Sequence, residues 1–301
     1  MGPGQATMGN PISSMTTRNS ADAPVRDLSP LQPLCALIRH RDLVFRLGRR
    51  DIESRYRGSI LGPIWAVMQP LVQLAVYTFV FGIVLKMKVE NVGLGDEAAS
   101  INTADFALSL FAALILYNLF SDCVGKAPII LRQNVTFVKK IVFPLEVLPW
   151  STLVMAIFNA CIALAVFAVF YGIIQGVPPW TIVLIPVVVL PVVIMILGLS
   201  WILMSVGLYL QDTQQVVSLV LMVALFTCPI FYPMSIVPES YQGWLYVNPL
   251  TVAVEQLREV LFAGMIPDAW TWLIYLAASL LVCWIGWIWF ATTRRGFADA
   301  V

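Results

Sequence analysis

Between Val147 and Gln211 the chain carries no Asp, Glu, Lys, Arg or His. A helix that crosses a bilayer needs about 20 apolar residues, so this stretch is long enough for two. The turn between them is supplied by Gly172 to Trp180, which contains Gly176, Pro178 and Pro179. The rest of the chain has the same character: 301 residues, 59% hydrophobic, 12% charged, mean hydropathy +0.85. Soluble globules carry about a quarter charged residues, so the chain is read as an integral membrane protein. The net charge of +1 leaves no basic footprint for nucleic acid. The five cysteines are scattered without metal-type spacing, mostly in apolar segments where Cys packs as a small hydrophobe.

In chain order, residues 1–30 are rich in Gly, Pro, Ser, Thr and Asn and are expected to form a disordered cytoplasmic tail. Residues 31–57 place Leu34, Leu37, Ile38, Phe45 and Ile52 near helical spacing among seven arginines, the pattern of an amphipathic helix lying in the membrane interface. Span one is the charge-free run Gly58 to Leu85, and residues 86–104, with Lys86, Lys88, Glu90, Asp96 and Glu97, form an outer loop. Span two covers Asp105 to Val124 and carries Asn118 and Asp122 near its end. A basic handle follows, with Lys126, Arg132, Lys139 and Lys140 and an apolar side of Ile129, Ile130, Val135, Phe137 and Val138. Pro144 and Pro149 are expected to stop its helix. Spans three and four fill Val147 to Gln211, with Pro186 and Pro191 expected to kink the second of them. Span five runs from Val216 to about Tyr232. Two apolar pieces separated by Asn248-Pro249, each too short to span, read as a re-entrant pair over 234–263. Span six, Trp270 to about Phe290, precedes Arg294, Arg295 and a short terminus at 294–301.

Basic residues test this topology. Nine fall in the tail and interfacial helix, four in the handle and two at the C-terminus, against Lys86, Lys88 and Arg258 on the other side. Cytoplasmic loops hold the excess of Lys and Arg, so both termini are expected in the cytoplasm and the handle at 126–143 with them.

Chemistry is scarce. The only histidine, His40, lies among arginines, which leaves no histidine-based metal site and no Ser-His or Cys-His triad within the spans. Gly125-Lys126-Ala127 lacks the upstream Gly and the Ser or Thr of a phosphate-binding loop. No pair of intramembrane carboxylates suggests a proton or sodium relay. Energy for transport is therefore expected from a partner. Span one places Trp65, Gln69, Gln73 and Tyr77 at a spacing of four, on one slowly drifting face. The two amides either bond a neighbouring helix or face a channel in which the rings meet sugars; Phe226 lies on a similar face of span five. Glu255, Arg258 and Glu259 lie about one turn apart and are expected to pair.

Four ordered blocks carry a resemblance. Arg50-Asp51 precedes Arg55-Tyr56-x-x-Ser59-x-Leu61-Gly62-x-x-Trp65 and Pro70. Then come Lys139-Lys140-x-x-Phe143-Pro144-x-Glu146-x-x-Pro149, Pro229-x-x-Tyr232-Pro233-x-x-x-Val237-Pro238 and Asn248-Pro249-Leu250. From about Arg39 to Arg295 the chain resembles the membrane subunit of type-2 ABC exporters for O-antigen, capsule and teichoic acid polysaccharides. It departs at Leu145, where the family usually has Arg, and at Gln211, where an Arg-Asp pair is common.

The resemblance implies an all-α fold of six transmembrane helices (58–293), with the interfacial helix in front and the re-entrant pair before the last span. It implies a homodimer with two separate ATPase subunits, which would hold ATP and Mg, and a lipid-linked polysaccharide cargo in a bacterial inner membrane. It makes Arg46, Asp51, Arg55, Arg132, Gln133, Asn134, Lys139 and Lys140 the residues coupled to the ATPase. It makes Pro229, Tyr232, Pro233, Asn248, Pro249, Glu255 and Arg258 a periplasmic gate. Competing readings are a teichoic acid, glycolipid or drug exporter of the same family, a membrane-embedded sugar polymerase or acyltransferase, and a secondary flippase. The enzyme would need a large outer loop with acid-base residues, and 86–104 has no His.

Overall fold

The charge-free stretch folds into two long helices, α6 (Leu148–Ile174) and α7 (Ile185–Tyr209), turned by Gly176 at φ 80° and a 3-10 turn at Trp180–Leu184. They belong to a computed structural model that describes Ser29 and residues 32–62, 64–84, 103–138 and 143–297. The calls on residues 1–28, the loop 86–102, Lys139, Lys140 and the last four residues lie outside the described residues. The remaining helices are α1 (Gln32–Tyr56), α2 (Ile64–Tyr77), α3 (Thr103–Lys126), the single turns α4 (Ile130–Gln133) and α5 (Val135–Val138), α8 (Thr213–Thr227), α9 (Glu239–Leu245), α10 (Thr251–Arg258) and α11 (Ala269–Thr293). No strand occurs among the described residues.

Among the described residues four helices are long and apolar enough to cross a membrane, Ala104–Gln133, Leu145–Ile174, Trp180–Tyr209 and Ala269–Thr293, and Ile64–Val80 and Thr213–Thr227 are shorter apolar helices. The short ones fall where the sequence pattern puts spans one and five. The first is broken by its own sequence: Gly58 (φ 83°) and Gly62 (φ 49°) delay its start, Pro70 removes an amide from its middle, and a π turn at Thr78–Val84 follows.

Helix α3 is the axle of the bundle, packed by α2, α6, α7, α8 and α10, with Leu108, Leu110, Ala113 and Leu114 fully enclosed. Its partner pair, α7 and α11, meets at glycines. A Cβ on Gly198 would sit 2.6 Å from the Cα of Cys283, and one on Gly286 would strike the Gly198 backbone. Without a hydrophobic drive between helices in lipid, such close backbone contact supplies the dispersion energy. Trp201 and Trp287 then lock edge to face at 5.3 Å.

Three sequence expectations are corrected here. Span two does not end at Val124: α3 runs to Lys126 and continues through a 3-10 turn, Ala127–Ile129, into α4. Ala127, Ile130 and Leu131 are buried, so the apolar side of the handle is spent on the protein. Pro186 and Pro149 each stand in the first turn of a helix, α7 and α6. There the missing N–H costs nothing, so Pro149 opens the next span instead of ending the handle, and of the two prolines in span four Pro191 alone lies inside the helix. The interfacial helix is kinked at His40 (φ −113°). It seats Ala36, Val44 and Leu47 on the protein and leaves Leu34, Ile38 and Phe45 bare.

Candidate transport site

The site has three parts along the axis of α6. At the end that carries α1, Arg50 binds Asp51 at 3.0 Å and its guanidinium lies 5.6 Å over the Phe137 ring. Phe137 stacks on Phe143 at 4.4 Å with the planes 7° apart. Helix α1 and the handle are thereby joined. Arg46 is exposed, Asp51 half-buried and Gln133 exposed. Arg132 donates to Leu208 O at 3.2 Å, capping the C-terminal carbonyls of α7, and Asn134 donates to Ile130 O at 2.8 Å. Asn134 closes a turn within the handle, and Arg132 ties the handle to the bundle. Gly207 makes that possible, because a Cβ there would enter the Pro128 backbone.

The middle part is a polar seam inside the apolar bundle. Asn118 of α3 donates to Gln73 of α2 at 3.1 Å, and Asn159 of α6 donates to Asp122 of α3 at 3.3 Å. Arg55 reaches in from the end of α1 to Gln69 at 3.5 Å. All six line one cavity of about 80 Å³. A polar group without a partner in this setting costs on the order of 2 kcal/mol or more, which is why each amide here finds a polar partner.

The expected channel residues divide. Gln69 and Gln73 turn to this cavity, and Tyr77 is half-buried with its ring 5.9 Å from that of Phe231. Trp65 (50% exposed) and Phe226 (59%) stand on the outside of the chain. Arg55, expected with the coupling residues, sits instead in the seam. The sequence reading noted Asn118 and Asp122 without giving them a role and missed Asn159, although it is the only amide in α6.

At the opposite end, α8 stops at Cys228, and its loose end is tied by the re-entrant pair. Arg258 donates to Pro229 O at 2.6 Å and to Ile230 O at 2.8 Å. Asn248 donates to Ala224 O at 2.8 Å and to Thr227 Oγ1 at 3.0 Å, while its Oδ1 accepts from Leu250 N. Tyr232 Oη donates to Phe226 O at 3.2 Å, and Pro233 is buried. The spans hold α10 and its π turn from behind: Tyr275 donates to Pro249 O, Tyr171 to Leu261 O and Thr181 to Val260 O, at 2.6, 2.9 and 2.6 Å. The expected pairing of Arg258 with Glu255 and Glu259 is replaced. The guanidinium has gone to orphaned carbonyls, and Glu255 accepts instead from Tyr246 Oη at 3.1 Å.

Comparison with known proteins agrees with this geometry. The profile of the ABC-2 type transporter family matches residues 42–262, from within α1 to the end of the re-entrant pair. The chain is 29% identical over 268 residues to the O-antigen export system permease protein RfbA of Myxococcus xanthus, an alignment that covers 88% of this chain and 97% of that one. It is 25% identical to a Klebsiella pneumoniae protein of the same name, covering 86% and 94%. To the polysialic acid transport protein KpsM of Escherichia coli it is 23% identical, covering 77% and 86%. A multi-pass helical chain matched from within α1 through the handle to the re-entrant pair is a permease: it belongs to the ABC-2 type transporter family.

Proposed function

We propose that the chain is the membrane subunit of an ATP-driven exporter that carries a lipid-linked polysaccharide, of O-antigen or capsule type, from the cytoplasmic to the outer face of a bacterial inner membrane. The observation that carries this reading is the near-complete alignment with a permease named for O-antigen export, 97% of that chain. In this reading there are six spans, with both termini cytoplasmic. Two copies of the chain act with two ATPase subunits, and ATP and Mg belong to the latter. The need for a second copy has a physical basis: Trp65 and Phe226 face outward from one chain, so a lumen lined by them requires another chain to close it.

Force would enter through α1 and the handle, which Arg50, Phe137 and Phe143 join, and leave at the re-entrant pair. Replacing Lys139 and Lys140 by Glu tests the chain of action. Surface polysaccharide in a strain lacking the native gene should be lost, and co-purification with the ATPase weakened. Unchanged polymer with unchanged co-purification would defeat the proposal.

A further inference from the structure

Among the described residues, Arg55 and Asp122 are the only charged side chains that line the seam cavity. Neither is well served. Asp122 accepts one long bond, from Asn159 at 3.3 Å, although a carboxylate offers about four acceptor sites. Arg55 reaches the Gln69 amide oxygen at 3.5 Å, the limit of a hydrogen bond. Lys126, one turn beyond Asp122, directs its Nζ to Met155 Sδ at 3.4 Å. Among the described residues no ion pair joins Arg55 to Asp122. An exposed guanidinium and a half-buried carboxylate thus line the same open cavity, whose other walls include Pro70, Ile115, Leu119, Ala156 and Ala160.

The backbone between them allows movement. Arg55 lies at the end of α1, which packs mainly on α6. The turn that follows holds Gly58 and Gly62 at positive φ, with nothing within 4 Å of either Cβ position. A shift of the last turn of α1 toward α3 would bend an open turn, while Gly48 keeps the middle of α1 close on Val154 of α6.

We infer that Arg55 and Asp122 form a state-dependent ion pair: as α1 shifts in the transport cycle, the guanidinium passes from Gln69 to Asp122 and ties the interfacial helix to the central helix α3. The inference rests on the reading that the ATPase moves α1. Arg55 and Asp122 are positioning residues in this scheme, and Gln69 holds the guanidinium until the shift.

Two measurements test it, one of them independent of cargo. In the complex reconstituted with its ATPase, and with the five native cysteines replaced by Ala, R55C/D122C is treated with a short bifunctional methanethiosulfonate reagent. Cross-linking should rise about five-fold or more with ATP and vanadate over the nucleotide-free yield; equal yields overturn the inference. In cells, R55D and D122R should each lower export about ten-fold, and R55D/D122R should recover most of it. A double variant that co-purifies with the ATPase but exports no better than R55D alone also overturns it. If the wild-type chain itself fails to restore surface polysaccharide, the cargo reading falls, and the cross-linking still decides the ion pair.

Discussion

Arg258 offers the sharpest test of how the end beyond α8 is held. Its two donors serve carbonyls that no helix satisfies, those of Pro229 and Ile230, just past the C-terminus of α8. A hydrogen bond to a charged group contributes about 1.5 kcal/mol or more, so the pair contributes about 3 kcal/mol to local order. At 1.4 kcal/mol per factor of ten, Arg258→Met should raise the opening equilibrium of this segment about a hundred-fold. The amides to watch are Cys228, which bonds Ala224 O, and Ile230, which bonds Cys228 O. Hydrogen–deuterium exchange on the protein in nanodiscs reads them directly. Arg258→Lys, with one compact donor group in place of a fork, should fall between wild type and Met. Exchange at Cys228 and Ile230 that stays within about three-fold of wild type in Arg258→Met would refute the reasoning.

Gly207→Val drives a side chain into the Pro128 backbone and should destabilise the chain by about 3 kcal/mol, seen as a lower melting temperature in detergent. Gly243→Ala, with open space around it, should stay within about 0.5 kcal/mol of wild type in the same assay. A double-mutant cycle over Arg50→Ala and Phe137→Ala should give a coupling of about 0.5–1 kcal/mol from their 5.6 Å contact. In a reconstituted complex, either variant should lower cargo moved per ATP more than it lowers ATP hydrolysis, because the joint it breaks lies between the two.

The helices were legible because lipid allows few answers. An uncharged run from Val147 to Gln211 forces two long helices wherever its turn falls. Boundaries were harder, since they depend on what the ends touch. The handle reads as amphipathic, and the sequence does not say whether lipid, an ATPase or the bundle covers its apolar side. Leu131 and Ile130 go to the bundle because Gly207 leaves room for the Pro128 backbone, and a glycine in an apolar run gives no hint of what lies across from it. The prolines failed for a related reason. A residue that breaks a helix and one that opens a helix are the same residue, and the choice rests on where the preceding turn ends.

The seam was only half legible, and the reason bears on how it works. Spacing put Gln69 and Gln73 on one face and required partners for them, but the partners come from elsewhere in the chain: Asn118 lies 45 residues from Gln73, and Asn159 lies 37 residues from Asp122. A pattern within one helix cannot name them. What the sequence does carry is the exception to hydrocarbon: Gln69 and Gln73 on α2, Asn118 and Asp122 on α3, Asn159 on α6, and Arg55 at the end of α1. If those groups served helix packing alone, neutral amide pairs would suffice, since they bond across helices without the desolvation cost of ions. The seam keeps a guanidinium and a carboxylate within one cavity instead, each with a weak bond to an amide. Opposite charges can attract over a longer reach than neutral amides, and exchanging partners between two positions of α1 is a task that suits them.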